Sequence, residues 1–167
     1  EVAALPNVRT VQGRVSIEAR VDLPDRPEPI AGRAISLPER REDVLNGILL
    51  RSGTYFSGTN EREVILCHAF AHANGLAPGS RVKVLLLDKQ HDVLVVGTAM
   101  SPEFVYVLPP GGGLAPDPAR YGIMYFTEDF LRKSCNLEGA YNQLLGLAFE
   151  NFPSQIIEHK AVTAGES

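Results

Sequence analysis

Val11-Gln12-Gly13-Arg14-Val15-Ser16-Ile17-Glu18-Ala19-Arg20-Val21 is the stretch whose reading decides how this chain folds. Apolar residues fall on every second position (Val11, Val15, Ile17, Ala19, Val21), with Gln12, Arg14, Ser16, Glu18 and Arg20 between them. A period of two belongs to an extended strand, whose successive side chains point to opposite faces. The spacing therefore predicts one long half-buried strand, with the apolar set in a core and the polar set in water. Gly13 alone interrupts the apolar face, and a bulge or kink is expected there. Pro24, Pro27 and Pro29 then stop the strand.

Outward from this stretch the same signals recur. Ile30 to Leu37 reads as a short extended segment closed by Pro38, Arg40 to Asn46 as a polar, one-turn helical piece, and Ile48-Leu49-Leu50 as a buried strand. Gly53 to Asn60 is loop by its turn residues. Glu63 to Cys67 is a short apolar strand and His68 to Asn74 a helix, with Gly75 as its left-handed stop and Pro78-Gly79 as a turn. Val82 to Leu87 and Val93 to Ala99 are aliphatic strands, joined through Asp88-Lys89-Gln90-His91-Asp92 as a hairpin with a five-residue loop. Together they suggest a small barrel or sandwich with one helix. Phe104 to Leu108 is extended and ends in Pro109-Pro110-Gly111-Gly112-Gly113, a crossover between lobes. Ile123 to Phe126 is a strand, Thr127 caps a helix running to Cys135, Gln143 to Phe149 returns as a strand, and a last helix is expected over Ser154 to His159. The fold class is α+β.

Composition limits the function. The chain has 167 residues, 44% of them hydrophobic, which is enough to bury a core without a disulfide framework. Sixteen basic residues against 20 acidic ones give a net charge of −4. A duplex binder needs clustered Lys and Arg to displace counterions, whereas the longest basic cluster here, Arg40-Arg41, is flanked by Glu39 and Glu42. No nucleic-acid partner is expected. Cys67 and Cys135 are read as free, buried thiols. No stretch approaches the roughly 18 to 20 apolar residues that span a bilayer, and Glu1 to Leu5 lacks the basic end and apolar centre of a signal peptide. The chain begins without Met, which predicts a fragment of a longer polypeptide.

The residues that could carry chemistry are few. Cys67-His68 with His72 places two histidines four apart on one helical face beside a thiol, a spacing that zinc could use; no Glu base stands between them, and Ala69, Phe70 and Ala71 read as helix packing. A metal-dependent enzyme built on these three residues is an alternative reading, although the residues favour no metal. Gly111-Gly112-Gly113 is followed by Leu114, Ala115 and Pro116 rather than by the Lys and Ser or Thr of a phosphate loop, so no nucleotide cofactor is expected. Cys135 stands at the C-terminal end of its helix, the wrong end of the dipole for a thiolate, and Glu128-Asp129 read as helix-start charges. The chain is read as a non-enzyme with no catalytic residues. The unusual stretch is Ser101-Pro102-Glu103-Phe104-Val105-Tyr106, followed by Asp117, Arg120 and Tyr121. Phe104, Tyr106 and Tyr121 either form a recognition surface, as in a free-standing ligand-binding module, or pack two lobes together, and packing is favoured.

Gly97-Thr98-Ala99-Met100-Ser101-Pro102-Glu103-Phe104-Val105-Tyr106, Pro116-Asp117 and Arg120-Tyr121-Gly122-Ile123-Met124-Tyr125-Phe126 resemble the extracytoplasmic domain of FtsX-like, MacB-like ABC-transporter permeases. Leu5-Pro6-Asn7-Val8, Gly32-Arg33, Leu37-Pro38, Leu45-Asn46, Leu50 to Gly53, Ala73 to Gly79 and Glu138 to Asn142 fit the same pattern. The resemblance implies a domain inserted after a first transmembrane helix, on the periplasmic side of the membrane. It would have a porter-like α/β lobe from both chain ends (1–30 and 114–167) and an inserted β-rich, Sabre-like lobe with one helix (31–113). It further implies a separate cytoplasmic ATPase subunit or domain as energy source, a second permease copy, and a substrate or periplasmic partner protein that this chain does not identify. Ser101, Pro102, Glu103, Phe104, Tyr106, Asp117, Arg120 and Tyr121 are the candidate positions for interaction or interlobe packing.

Overall fold

The alternating stretch does not run as one strand. It divides at Val15 into β1 (Val8–Arg14) and β2 (Ser16–Asp22), which belong to different sheets. Period-two alternation reports which side chains are buried, not which neighbour the backbone pairs with, so the switch is invisible in the pattern. The backbone groups at the break find other partners, as buried amides must. The Val15 N–H donates to Ser36 Oγ and its carbonyl accepts from the Ser36 N–H, both at 2.8 Å. The Asn142 side chain accepts from the Ser16 N–H and donates to the Ser16 carbonyl. Gly13, where a bulge was expected, stays in register opposite Leu144, and the ladder irregularity lies instead between Val8 and Thr10.

The structure, a computed structural model, describes residues 8–41, 47–104 and 117–148. After β2 the chain forms β3 (Ile30–Leu37), β4 (Leu49–Gly53), β5 (Glu63–Cys67), α1 (His68–Ala73), β6 (Arg81–Leu86), β7 (Lys89–Met100), β8 (Tyr121–Thr127), α2 (Glu128–Cys135) and β9 (Gln143–Ala148). The protein is α+β, dominated by strands. The seven-stranded sheet has the order β4-β7-β5-β8-β3-β2-β6, and β6 also pairs with β7. Lys89 to Leu94 of the long β7 pairs with β6, and Gly97 to Met100 pairs on the same side with β4. The sheet thereby closes on itself as a six-stranded barrel with β4 added at its rim. Closure removes most of the open edge. The second sheet is an antiparallel ribbon of β1 and β9, the two ends of the described chain.

Strands from either side of the expected divisions at 30/31 and 113/114 share the barrel. β2 and β8 lie beside β3, β5 and β6 in one hydrogen-bonded sheet.

Side chains along β8 alternate between two cores. Met124 and Phe126 join Val64, Leu66, Val84, Leu86 and Val95, with Phe70 of α1 and Phe130 and Leu131 of α2 packed against them. Tyr121, Ile123 and Tyr125 join Ile35, Leu37, Ile48, Phe56 and Ile65. All seven residues of β8 are buried, as befits a strand covered on both faces. α2 starts as its sequence signal requires: Thr127 Oγ1 accepts from the Phe130 N–H, Glu128 and Asp129 occupy the first turn, and Asn136 closes the helix at a left-handed φ of 54°. Gly75 follows α1 at φ 65°, also as expected.

Three expectations are corrected. The β6–β7 hairpin has a two-residue turn, Leu87-Asp88, and Gln90, His91 and Asp92 lie in the ladder. Leu87 adopts φ 53° without being glycine, so the turn lacked its usual sequence mark. The strand expected over Ile48 to Leu50 begins at Leu49 and runs along the barrel rim, where Leu49 is 57% exposed and only Ile48 is buried. Phe104 belongs to a 3-10 turn over Pro102–Phe104 rather than to an extended piece. The helical turn expected over Arg40 to Asn46 falls largely outside the described residues, and so do Val105 to Leu108, the Pro109 to Gly113 crossover and the last helix over Ser154 to His159.

Candidate functional site

The residues nominated from the sequence gather only in part. Ser101, Pro102, Glu103 and Phe104 form the turn that leaves β7, while Asp117 and Arg120 stand on the exposed approach to β8 as an ion pair at 3.3 Å. Such an exposed pair is worth little in stability. Tyr106 lies outside the described residues. Tyr121 is buried at the start of β8 and Phe104 is half-buried, and both belong to the second core. Burial raises the Tyr121 phenol above its ordinary value, aided by the Glu18 carboxylate and opposed by Arg33. Tyr125, two repeats of the pleat further on, is pushed up more strongly by burial, against a hydrogen bond from Ser101 that favours the phenolate. These phenols stay protonated and act as packing groups with a polar tip.

The centre of the arrangement is a residue that the sequence assigned to water. Arg14, on the polar side of the β1 alternation, is buried and its guanidinium meets both carboxylate oxygens of Glu103, with Nη1 to Oε2 at 2.8 Å. Arg14 Nε donates to Gln143 Oε1 of β9. The side chains of Arg14 and Glu103 are 7% and 10% exposed, so water does little to screen them. A bidentate Arg–carboxylate pair fixes angle as well as distance, because the fork and the carboxylate are both planar. The pair lies where the β1/β9 ribbon meets the barrel. The sequence held a signal only for Glu103; a buried Arg on the polar face of an alternating strand leaves none.

On the other face of β1, the Tyr141 ring lies on Gly13 and carries the Arg132 guanidinium of α2 at 4.3 Å from its centroid. Arg132 is in turn held by Glu128 at 3.2 Å. Gly13 and Arg14 are consecutive in β1 and face opposite sides of it, so this stack and the Arg14–Glu103 pair lie on opposite faces of the ribbon.

The metal alternative gains nothing from the geometry. His68 Nδ1 bonds Thr98 Oγ1 at 3.1 Å, Thr98 bonds Ser52 Oγ at 2.7 Å, and His72 is exposed with its ring 6.3 Å from that of His68. Among the described residues no group of three His, Cys, Asp or Glu side chains is placed to hold a metal. Both cysteines are free, Cys67 half-buried and Cys135 buried, and burial pushes the Cys135 thiol up, away from the reactive thiolate. No helix among the described residues is long and apolar enough to cross a membrane.

No family model matches the sequence, and no curated protein matches it significantly. Among solved structures the chain is similar to the extracellular domain of the noncanonic ABC-type transporter YknZ from Gram-positive bacteria. The identity is 14% and the TM-score 0.53, over 90% of this chain and 70% of that one. It is also similar to the periplasmic region of MacB from Actinobacillus actinomycetemcomitans, at 12% identity and TM-score 0.49, over 92% of this chain and 64% of that one. The chain therefore has the fold of the extracellular domain of an ABC-type transporter, in agreement with the resemblance read from its residues.

Proposed function

We propose that this chain is the extracytoplasmic domain of an FtsX-like, MacB-like ABC transporter permease, coupling ATP-driven motion of the membrane part to export or extraction of a substrate. The observation that carries the reading is the β1/β9 ribbon on a barrel of this fold. Val8 stands opposite Ala148, so the first and last described residues lie side by side. A domain inserted between two membrane helices needs that geometry, whereas a free-standing binding module does not. In this reading the ribbon represents the porter-like part made from both chain ends and the barrel the Sabre-like part. The lobe boundaries then move to Val15 and to the segment after α2.

Energy comes from a cytoplasmic ATPase subunit acting through membrane helices, and a second permease copy completes the assembly. The domain itself is mechanical and not an enzyme, and a substrate or periplasmic partner protein contacts it from outside. The parent gene tests this. It should encode one apolar segment of about 20 residues before Glu1 and three after Ser167, and its product should co-purify from membranes with an ATPase whose ATP hydrolysis the isolated domain lacks. A gene with no such segments, or a product that purifies without an ATPase, contradicts the reading.

A further inference from the structure

The ribbon and the barrel are joined by little backbone. β1 passes into β2 through the single residue Val15, and β9 follows α2 through the segment 136–142. A two-stranded ribbon is marginal alone, so its direction must be set by side chains that reach across the joint. Glu103, from the turn after β7, holds the Arg14 fork by both oxygens, and Gln143 of β9 takes a third donor of the same guanidinium. Asn142 clips to both backbone groups of Ser16. An apolar contact at this point would resist separation but tolerate rotation, because dispersion and area burial have no direction. A buried planar fork resists both.

We propose that the Arg14–Glu103 pair is an orientation clamp that sets the angle between ribbon and barrel, so that the two move as one body while the pair holds and as two when it is broken. Its use in transport rests on the permease reading above: a clamped ribbon delivers displacement of the chain ends to the barrel, and a released one absorbs it. Arg14 and Glu103 are positioning residues here and need touch no substrate.

The test is a distance distribution by pulsed electron paramagnetic resonance on this chain, with spin labels at Thr10 of β1 and Lys83 of β6. The labels enter as non-canonical residues, so that Cys67 and Cys135 stay in place. The parent chain should give one narrow distribution. Glu103→Gln, which keeps the shape and removes the charge, should broaden it roughly two-fold or more. Arg14→Lys, which keeps the charge and removes the fork, should broaden it as well. Amide-exchange protection of β6 and β7 should be unchanged in both. A distribution that stays narrow in both variants overturns the clamp. So does loss of barrel protection in both, because the pair would then be an ordinary core element. Neither result bears on the permease reading, and a parent gene without membrane segments would leave the clamp standing.

Discussion

The Tyr141 ring lies so close over Gly13 that a Cβ on residue 13 would stand 2.4 Å from its Cγ. The glycine is thus required by a neighbour that approaches the backbone, not by an unusual φ or a bulge. Gly13→Ala should force the ring off β1 and away from Arg132, destabilising the protein by about 1–3 kcal/mol, the usual cost of overpacking. Chemical denaturation should show this as a lowered midpoint. Tyr141→Ala in the same background should recover part of the loss, because it removes the clash.

Arg14 and Glu103 can be separated energetically from the fold around them. Arg14→Met alone strands a buried carboxylate and should cost about 3 kcal/mol or more. Arg14→Met with Glu103→Leu removes both charges and should cost clearly less than the sum of the single changes. Urea unfolding of the four proteins in a double-mutant cycle measures the coupling; additive losses would mean that the two side chains do not interact.

Much of the fold is legible in the sequence because the deciding signals are local. The Thr127 cap and the acidic first turn mark α2, Gly75 marks the end of α1, and Ile30–Leu37 and Glu63–Cys67 carry β3 and β5 in their residue types. The joint is not legible, because its chemistry is long-range. Arg14 reaches a residue 89 positions away, and no periodicity distinguishes its buried fork from the solvated Arg20 at the same phase of the alternation. The break at Val15 is hidden for a related reason: the residue is fully buried whichever sheet its neighbours join. Of the nominated aromatic positions, Tyr121 lies in the second core and Phe104 packs against it.

Glu63 is a buried carboxylate at the start of β5 that holds the preceding loop. It accepts from the Ser57 N–H at 2.8 Å and from the Ser57 hydroxyl at 2.6 Å. Glu63→Ala leaves the Ser57 N–H without its partner and should cost about 1–3 kcal/mol. Limited proteolysis should then cut within residues 54–62 faster than in the parent; an unchanged cleavage rate would show that the loop is held elsewhere.

His91 makes stability depend on pH. Its Nε2 is buried without a partner among the described residues, and its ring stands edge-on to Phe130 at 5.3 Å. Burial, then Arg62 and Lys89, hold its pKa below the ordinary 6.5. Between the lowered folded value and 6.5 the unfolded chain binds the proton more readily, so stability from this group is full above 6.5 and falls as pH drops through that window. Thermal unfolding followed across that range should show a decline that His91→Gln reduces. An identical pH slope in the variant would remove His91 from the explanation.

The central claim, that this domain is held outside the cytoplasmic membrane by helices beyond the described chain, is tested most directly by topology. Cells expressing the full-length product are converted to spheroplasts and treated with external protease. The account predicts that the protein sediments with the membrane and that added protease cleaves within residues 1–167 while a cytoplasmic control stays intact. Recovery of these residues in the soluble fraction, protected until the cells are lysed, would contradict it.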